Sequence, residues 1–177
     1  ALTQLYSYFH GKIYRYVFLK CGNYSDAEDI TEEVFLRMVE SINRFHWKGI
    51  AFSAWLFRIA RNLVVDHYRY KARRNTQDIK DYDYIDGNNW EKISEFLDNR
   101  DLIKAIYEHF ASLTDLQKEV VNLRFAGGLS LKETAEALSK NVNSVKAIQH
   151  AAIKKLKGKM KEVNIQNIAK KPVYPLI

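Results

Sequence analysis

Residues Phe52 to Arg74 read FSAWLFRIARNLVVDHYRYKARR, one unbroken helical pattern carrying two different stripes. With a period of 3.6 residues, Phe52, Leu56, Ile59, Ala60 and Leu63 fall on one side. Arg58, Asn62, Asp66, Arg69 and Arg73 fall on a neighbouring side. A helix that needs only to be soluble mixes the signs of its charges, yet Arg58, Arg61, Arg69, Lys71, Arg73 and Arg74 here face a single acid, Asp66. His67, Tyr68 and Tyr70 are interleaved with them. Uncompensated positive charge and aromatic rings on a rigid helix suit a polyanion whose bases can be stacked upon. The solvated face of a basic protein has the same composition, and charge alone does not separate the two readings.

The rest of the chain agrees with a basic, helical protein. Its 177 residues allow one domain or two small ones. A formal charge of +7 leans towards nucleic acid or another anionic surface. A single cysteine, Cys21, excludes an internal disulfide framework and fits a reducing cytosol, with the thiol acting as a small apolar side chain. No apolar run is long enough to span a membrane, so direct membrane insertion is not expected. The first residues lack the pattern of a signal peptide. The sequence begins without Met, so the native start is expected to lie upstream.

Upstream of the basic stretch, a first helix is expected from Leu2 to Cys21, with Leu5, Phe9, Ile13 and Tyr16 or Val17 on one side. Gly22 to Ser25 breaks it, and Ser25 or Asp26 can cap a second helix running to about Phe45. That second helix carries Asp26, Glu28, Asp29, Glu32 and Glu33 beside Val34, Phe35 and Met38. Clustered carboxylates serve acid–base chemistry or metals only when they converge on a pocket. On the outer side of a helix they read more simply as a solvated face and as compensation of the N-terminal dipole. His46 to Ile50 is a loop flanked by Phe45, Trp47 and Phe52.

Downstream, Asn75 to Asp101 turns rich in Asp and Asn and reads as an acidic linker, with a short helix from Asn89 onward. From Asp98 to about Lys161 the pattern is helical again. Gly127 and Gly128 end one helix. Ser130-Leu131-Lys132-Glu133 fits a capping box, with Leu131, Ala135 and Leu138 on the apolar side of a short helix. Ser139 to Val142 forms a turn, and Asn143 or Ser144 can cap the next helix. There Val145, Ile148, Ala152 and Leu156 line up inward, while Lys146, Ala147, His150, Lys154 and Lys157 point away. This is the pattern of a helix-turn-helix whose second helix enters the major groove, with Ser144, Lys146, Ala147 and Gln149 nearest the base edges. A plain helical hairpin with a lysine-rich outside shows the same spacing.

Three of these segments, in this order, resemble one family. AWLFRIARNLVVDHYR resembles the helix with which sigma-70 family sigma factors of the extracytoplasmic-function (ECF) type hold and melt the promoter −10 element. DAEDITEEVFLRM, Asp26 to Met38, resembles their segment that docks on the clamp helices of RNA polymerase. The helix-turn-helix resembles the domain that reads the −35 element and meets the polymerase flap. The resemblance implies an all-α protein of two small helical domains joined by an acidic linker: a region 2-like domain over 1–74, a linker over 75–97, a region 4-like domain over 98–162 and a tail over 163–177. The tail holds Pro172 and Pro175 and is expected to be disordered.

What the resemblance implies for function is a promoter-specific initiation factor acting in the cytoplasm, without enzyme activity, cofactor or metal of its own. Its partners would be core RNA polymerase, promoter DNA and an anti-sigma factor. Trp47, Arg58, Arg61, Asn62, Asp66, Arg69, Tyr70, Arg73 and Arg74 would meet −10 DNA, with Trp47 beside a base flipped from the non-template strand. Ser144, Lys146, Ala147, Gln149, His150 and Lys154 would meet −35 DNA. Asp26, Glu28, Asp29, Glu32, Glu33, Phe35 and Arg37 would dock on polymerase. Within VKAIQHAAIKKL, Ala151 stands where a common form of the family has Arg. Arg is the usual bidentate reader of guanine, so its absence implies heavier reliance on phosphate contacts and DNA shape. Two other classes fit parts of the pattern: a stand-alone helix-turn-helix regulator, which would bind duplex DNA tightly by itself, and a helical module that sequesters another protein, which would show no salt-dependent DNA binding.

Overall fold

A computed structural model of the chain describes residues 2–45, 49–74 and 109–159. All regular elements among them are helical. Helices α1 (Leu2–Cys21), α2 (Tyr24–Ser41) and α3 (Phe52–Arg74) form a first trio. Helices α4 (Asp115–Phe125), α5 (Leu131–Ala137) and α6 (Val142–Lys159) form a second. The acidic linker, residues 98–108 and the tail lie outside the described residues, as do His46, Trp47 and Lys48 of the loop before α3.

Local chemistry sets the helix ends. Gly22, at φ 71°, takes the left-handed conformation that closes α1. The cap of α2 is Asn23, not Ser25 or Asp26, because the Asn23 side chain accepts the Asp26 amide at 2.8 Å. The α-helix then ends at Ser41 and tightens into a 3-10 turn at Ile42–Arg44. Thr114 and Gln117 make a capping box at the start of α4. Ser130 and Glu133 make the expected one at the start of α5. The helix-turn-helix turn passes through Ser139 at φ 53°. Its second helix is capped by Asn141, whose side chain accepts the Ser144 amide at 2.7 Å, instead of by Asn143 or Ser144.

The first trio buries Ile13, Tyr16 and Val17 of α1, Ala27, Val34 and Met38 of α2, and Leu56, Phe57, Ala60 and Val64 of α3. Cys21 packs on the edge of this core as expected, and burial pushes its thiol up to about 12. The second trio has a small core of its own at Val120, Ala135 and Val145. The trios are not separate bodies. Leu123, Ala126, Leu129 and Ala137 belong to the same buried cluster as Leu56 and Phe57. Gly127 sits tightly against Phe57 of the first trio: a Cβ there would lie 2.7 Å from Phe57 Cε1 and 2.8 Å from the Leu123 carbonyl oxygen of its own trio.

Polar groups complete this junction. Glu119 of α4 accepts the Tyr16 hydroxyl at 2.7 Å and pairs with Lys20, both from α1. The Asn122 amide reaches the Tyr16 carbonyl at 3.4 Å. Helix α5 meets the beginning of α3: the Glu136 carboxylate accepts the Ala51 amide at 2.7 Å, and Glu133 accepts the Ser53 hydroxyl. Helix α3 has no acidic residue in its own first turn. Its positive N-terminal end is therefore compensated by two carboxylates from the other trio.

Candidate nucleic-acid interface

Helix α3 places its core stripe as its periodicity predicts, with Phe52, Leu56 and Ala60 buried and Ile59 and Leu63 half-buried. Of the residues expected at −10 DNA, Arg61, Asn62, Asp66, Arg69, Tyr70 and Arg73 are exposed. Asp66 lies 3.6 Å from Arg69 and holds it along the helix, while Tyr70 is 54% exposed and offers a ring to a stacking partner. The side chain of Arg74 and all of Trp47 lie outside what is described.

The structure turns one residue of this set, and two of the rings interleaved with it, away from solvent. Arg58 is half-buried and donates to the Glu136 carbonyl from both Nε and Nη2, so its guanidinium is turned to α5 and not to solvent. Tyr68 donates its hydroxyl to the Lys20 carbonyl, and His67 lies 3.1 Å from Asp26. Both rings point into the helix packing, which leaves Tyr70 as the exposed ring of the stripe.

Asn62 and Asp66 also line a cleft of about 570 Å³ between α2 and α3, whose other wall carries Arg37, Glu40 and Arg44. Its walls mix cationic and anionic groups with the apolar side chains of Ile59 and Leu63. That combination suits a group with an apolar face and a hydrogen-bonding edge.

On α2, Glu28, Asp29 and Glu32 are exposed, and Glu33 is half-exposed and bound to Arg37 at 2.7 Å. Two members of the expected docking set belong elsewhere. Phe35 is buried against Tyr6 and His10. Asp26 faces α3, where it pairs with Lys71 and accepts from Asn23. Burial pushes the Asp26 carboxyl upward, but the hydrogen bonds from Asn23 and Lys71 and the nearby His67 outweigh it and hold the group below its ordinary value. The sequence reading missed Leu36 and Val39, which are 54% and 48% exposed. They stand off the apolar stripe at positions that a period of 3.6 sends outward beside the acids.

In the helix-turn-helix, Val145, Ala152 and Leu156 are buried and Ile148 is half-buried. Lys146, Ala147, His150 and Lys154 are exposed, as a groove-reading face requires, and Ser144 is half-buried. Gln149 is the exception, because its side-chain oxygen accepts Arg124 Nε at 2.7 Å. Arg124 also reaches the Leu129 carbonyl, so Gln149 is fixed to α4 and not free to reach a base.

Known proteins share this arrangement. Residues 5–74 match the family model for sigma-70 region 2, and residues 110–158 match that for sigma-70 region 4. The chain belongs to the ECF branch of the sigma-70 family. It is 36% identical to the ECF RNA polymerase sigma factor BldN of Streptomyces coelicolor over 88% of this chain and 59% of that protein. To the ECF RNA polymerase sigma factor SigW of Bacillus subtilis it is 30% identical over 92% of this chain and 90% of that protein. Its fold is similar to that of the sigma factor RpoE from Bartonella quintana, solved in complex with the anti-sigma factor NepR. That match has a TM-score of 0.63 and 20% identity, covering 92% of this chain and 98% of that one.

In family terms, the first trio is region 2 and the second is region 4. Among the described residues no cluster of His, Cys, Asp and Glu could hold a metal ion, and no helix is long and apolar enough to cross a membrane. Of the acids on α2, Glu28, Asp29 and Glu32 lie exposed along its outer side, while Asp26 faces α3.

Proposed function

We propose that this sigma factor brings core RNA polymerase to promoters and opens them with α3. The observation that carries the reading is the exposed row Asn62, Asp66, Arg69, Tyr70 and Arg73, set beside the cleft between α2 and α3. Cations along the row hold the strand by its phosphates, Tyr70 stacks on an exposed base, and the cleft receives a base drawn out of the duplex. Extruding a base costs a few kcal/mol, and a fitted pocket with a stacking ring offsets a cost of that size. Trp47 and Arg74 are assigned to the same −10 contact by the family resemblance of their sequence positions.

Region 4 presents Lys146, Ala147 and His150 to the −35 element, with Lys154 and Lys157 on phosphates. The lack of an arginine at Ala151 favours recognition through backbone and shape. Region 2 docks on the clamp helices of polymerase through Glu28, Asp29, Glu32, Glu33 and Arg37, to which the exposed Leu36 and Val39 add apolar surface. Region 4 meets the flap. The chain acts in the cytoplasm and contributes no bond-forming chemistry, which belongs to polymerase. An anti-sigma factor is a further partner on this reading, in keeping with the complex in which RpoE was solved.

Run-off transcription from fragmented genomic DNA with purified core polymerase tests the proposal. Discrete new transcripts that need both components are expected. Tight duplex binding by the chain alone, with no binding to core, would instead identify a stand-alone helix-turn-helix regulator.

A further inference from the structure

Helices α1, α3 and α4 contribute side chains to a second cavity, of about 240 Å³, which shares no lining residue with the cleft between α2 and α3. Its apolar walls are Val64, Val65 and Tyr68 of α3 and Leu116 of α4. The Tyr68 hydroxyl is engaged by the Lys20 carbonyl, so this residue offers the cavity the body of its ring. Cavities for drug-sized ligands run from about 300 to 1,000 Å³, so this one suits a smaller metabolite.

Four charges line the same cavity. Lys20 and Glu119 are buried and satisfied: they pair with each other, and Glu119 also accepts the Tyr16 hydroxyl. The other two keep capacity to spare. The Arg61 side chain is 46% exposed, and its contact with Glu119, at 3.8 Å, is too long for a hydrogen bond. The Asp115 side chain is 70% exposed and lies as far, 3.8 Å, from Lys118. Arg61 therefore has donors and Asp115 has acceptors for a ligand. A lone carboxylate would gain Arg61 but face Asp115, and a lone amine would meet the reverse. With two cations and two anions in the lining, a ligand of no net charge leaves none of them uncompensated. A small zwitterion with an apolar body matches every part of the cavity.

We propose that this cavity binds a free α-amino acid with an apolar side chain, of the leucine or phenylalanine kind. The ligand carboxylate sits on Arg61, its ammonium on Asp115, and its side chain on Val64, Val65, Leu116 and the Tyr68 ring. Arg61 is also a −10 candidate, so a bound carboxylate occupies a guanidinium that promoter DNA would otherwise use. The site itself does not depend on the promoter reading.

Titration calorimetry on the full chain, without polymerase or DNA, tests the site with free leucine and free phenylalanine as probes. One-to-one binding of at least one of them is expected, with a dissociation constant between about 10 µM and 1 mM. Isocaproate, which is leucine without its ammonium, and isoamylamine, which is leucine without its carboxylate, should each bind about tenfold more weakly. Arg61→Gln and Asp115→Asn should each weaken amino-acid binding about tenfold, and Leu116→Asn about fivefold. Thr114 still caps α4 in Asp115→Asn, and circular dichroism checks that each variant is folded. Lys132→Gln, at an exposed position of α5, should bind as the unmutated chain does.

No binding of either probe up to about 10 mM overturns the site. So does binding that neither Arg61→Gln nor Asp115→Asn weakens. If isocaproate binds as tightly as leucine and only Arg61→Gln weakens it, the cavity takes simple carboxylic acids and the amino-acid assignment is overturned. Each of these results leaves transcription with core standing, whereas a chain that binds the amino acid and gives no transcription with core overturns the promoter reading alone.

Discussion

Glu133 ties Ser53 to the start of α5: one carboxylate oxygen accepts the Ser53 hydroxyl, and the other accepts the Ser130 amide at 2.7 Å. The same side chain closes its own capping box and grips the first turn of α3, two roles that single caps keep apart. Replacing Glu133 with Ala should therefore cost more than a cap alone, about 2 kcal/mol, and lower the melting temperature by roughly 5 °C. Thermal melts followed by circular dichroism check this; a loss no larger than that of Thr114→Ala, which removes a cap confined to α4, would contradict it.

Glu133 also makes the junction sensitive to acid. Burial pushes its carboxyl upward, but bonds from Ser53 and Ser130 and the charge of Lys12 outweigh burial and hold it below the ordinary glutamate value. A carboxylate depressed on folding stabilises fully above its unfolded value and loses that contribution as pH falls through the folded one. Asp26 behaves in the same sense between α2 and α3. Asp26→Asn should lower stability by about 1 kcal/mol at neutral pH. The difference from the unmutated chain should close as pH falls below about 4. Urea titrations at several pH values measure it, and a gap that persists at low pH would refute the assignment.

Gly127 has no room for a side chain between Phe57 and the Leu123 carbonyl. Gly127→Ala should force the regions apart or shift the Phe57 ring, at a cost of about 1–3 kcal/mol. Gly158→Ala near the end of α6, with nothing near its added Cβ, is the control and should be neutral or stabilising. Equal melting temperatures for the two variants would count against a tight junction.

Arg69→Ala with Arg73→Ala should weaken open-complex formation while leaving core binding nearly intact. Two lost phosphate contacts should also flatten the salt dependence of promoter binding by about two units of slope. Glu32→Lys with Leu36→Asp should do the reverse, losing core binding first. Competition binding to labelled core, paired with permanganate footprinting, separates the two steps. Equal losses from both double variants would refute the division of labour between α2 and α3.

The bounds of α3, the Ser130–Glu133 box and the inward stripe Val145, Ala152 and Leu156 were all legible in the sequence, because each depends on neighbours within a turn or two. The caps Asn23 and Asn141 were missed because Ser25, Asp26, Asn143 and Ser144 compete for the same local role. Arg58, Tyr68, Phe35 and Asp26 were misplaced for a different reason. Periodicity says which side of a helix a residue occupies, and their partners Glu136, Lys20, Tyr6 and Lys71 come from other helices. Glu119 carries no local mark at all: in α4 it reads as one more solvated charge, and only the fold brings it beside Tyr16 and Lys20. A plausible interdomain boundary was legible, but the shared core across it was not.

The carboxylates that Ala51 and Ser53 bind across the junction bear on how the molecule can be divided. Cutting the chain after Arg74, where composition changes most sharply, would separate α3 from the Glu136 carboxylate on the Ala51 amide, from the Glu133 carboxylate on the Ser53 hydroxyl and from the buried cluster it shares with the second trio. A fragment made there would keep every residue of the melting helix and yet present a frayed, over-exposed version of it. Kinetics measured on such a fragment would describe a different starting state from the one the whole chain begins in.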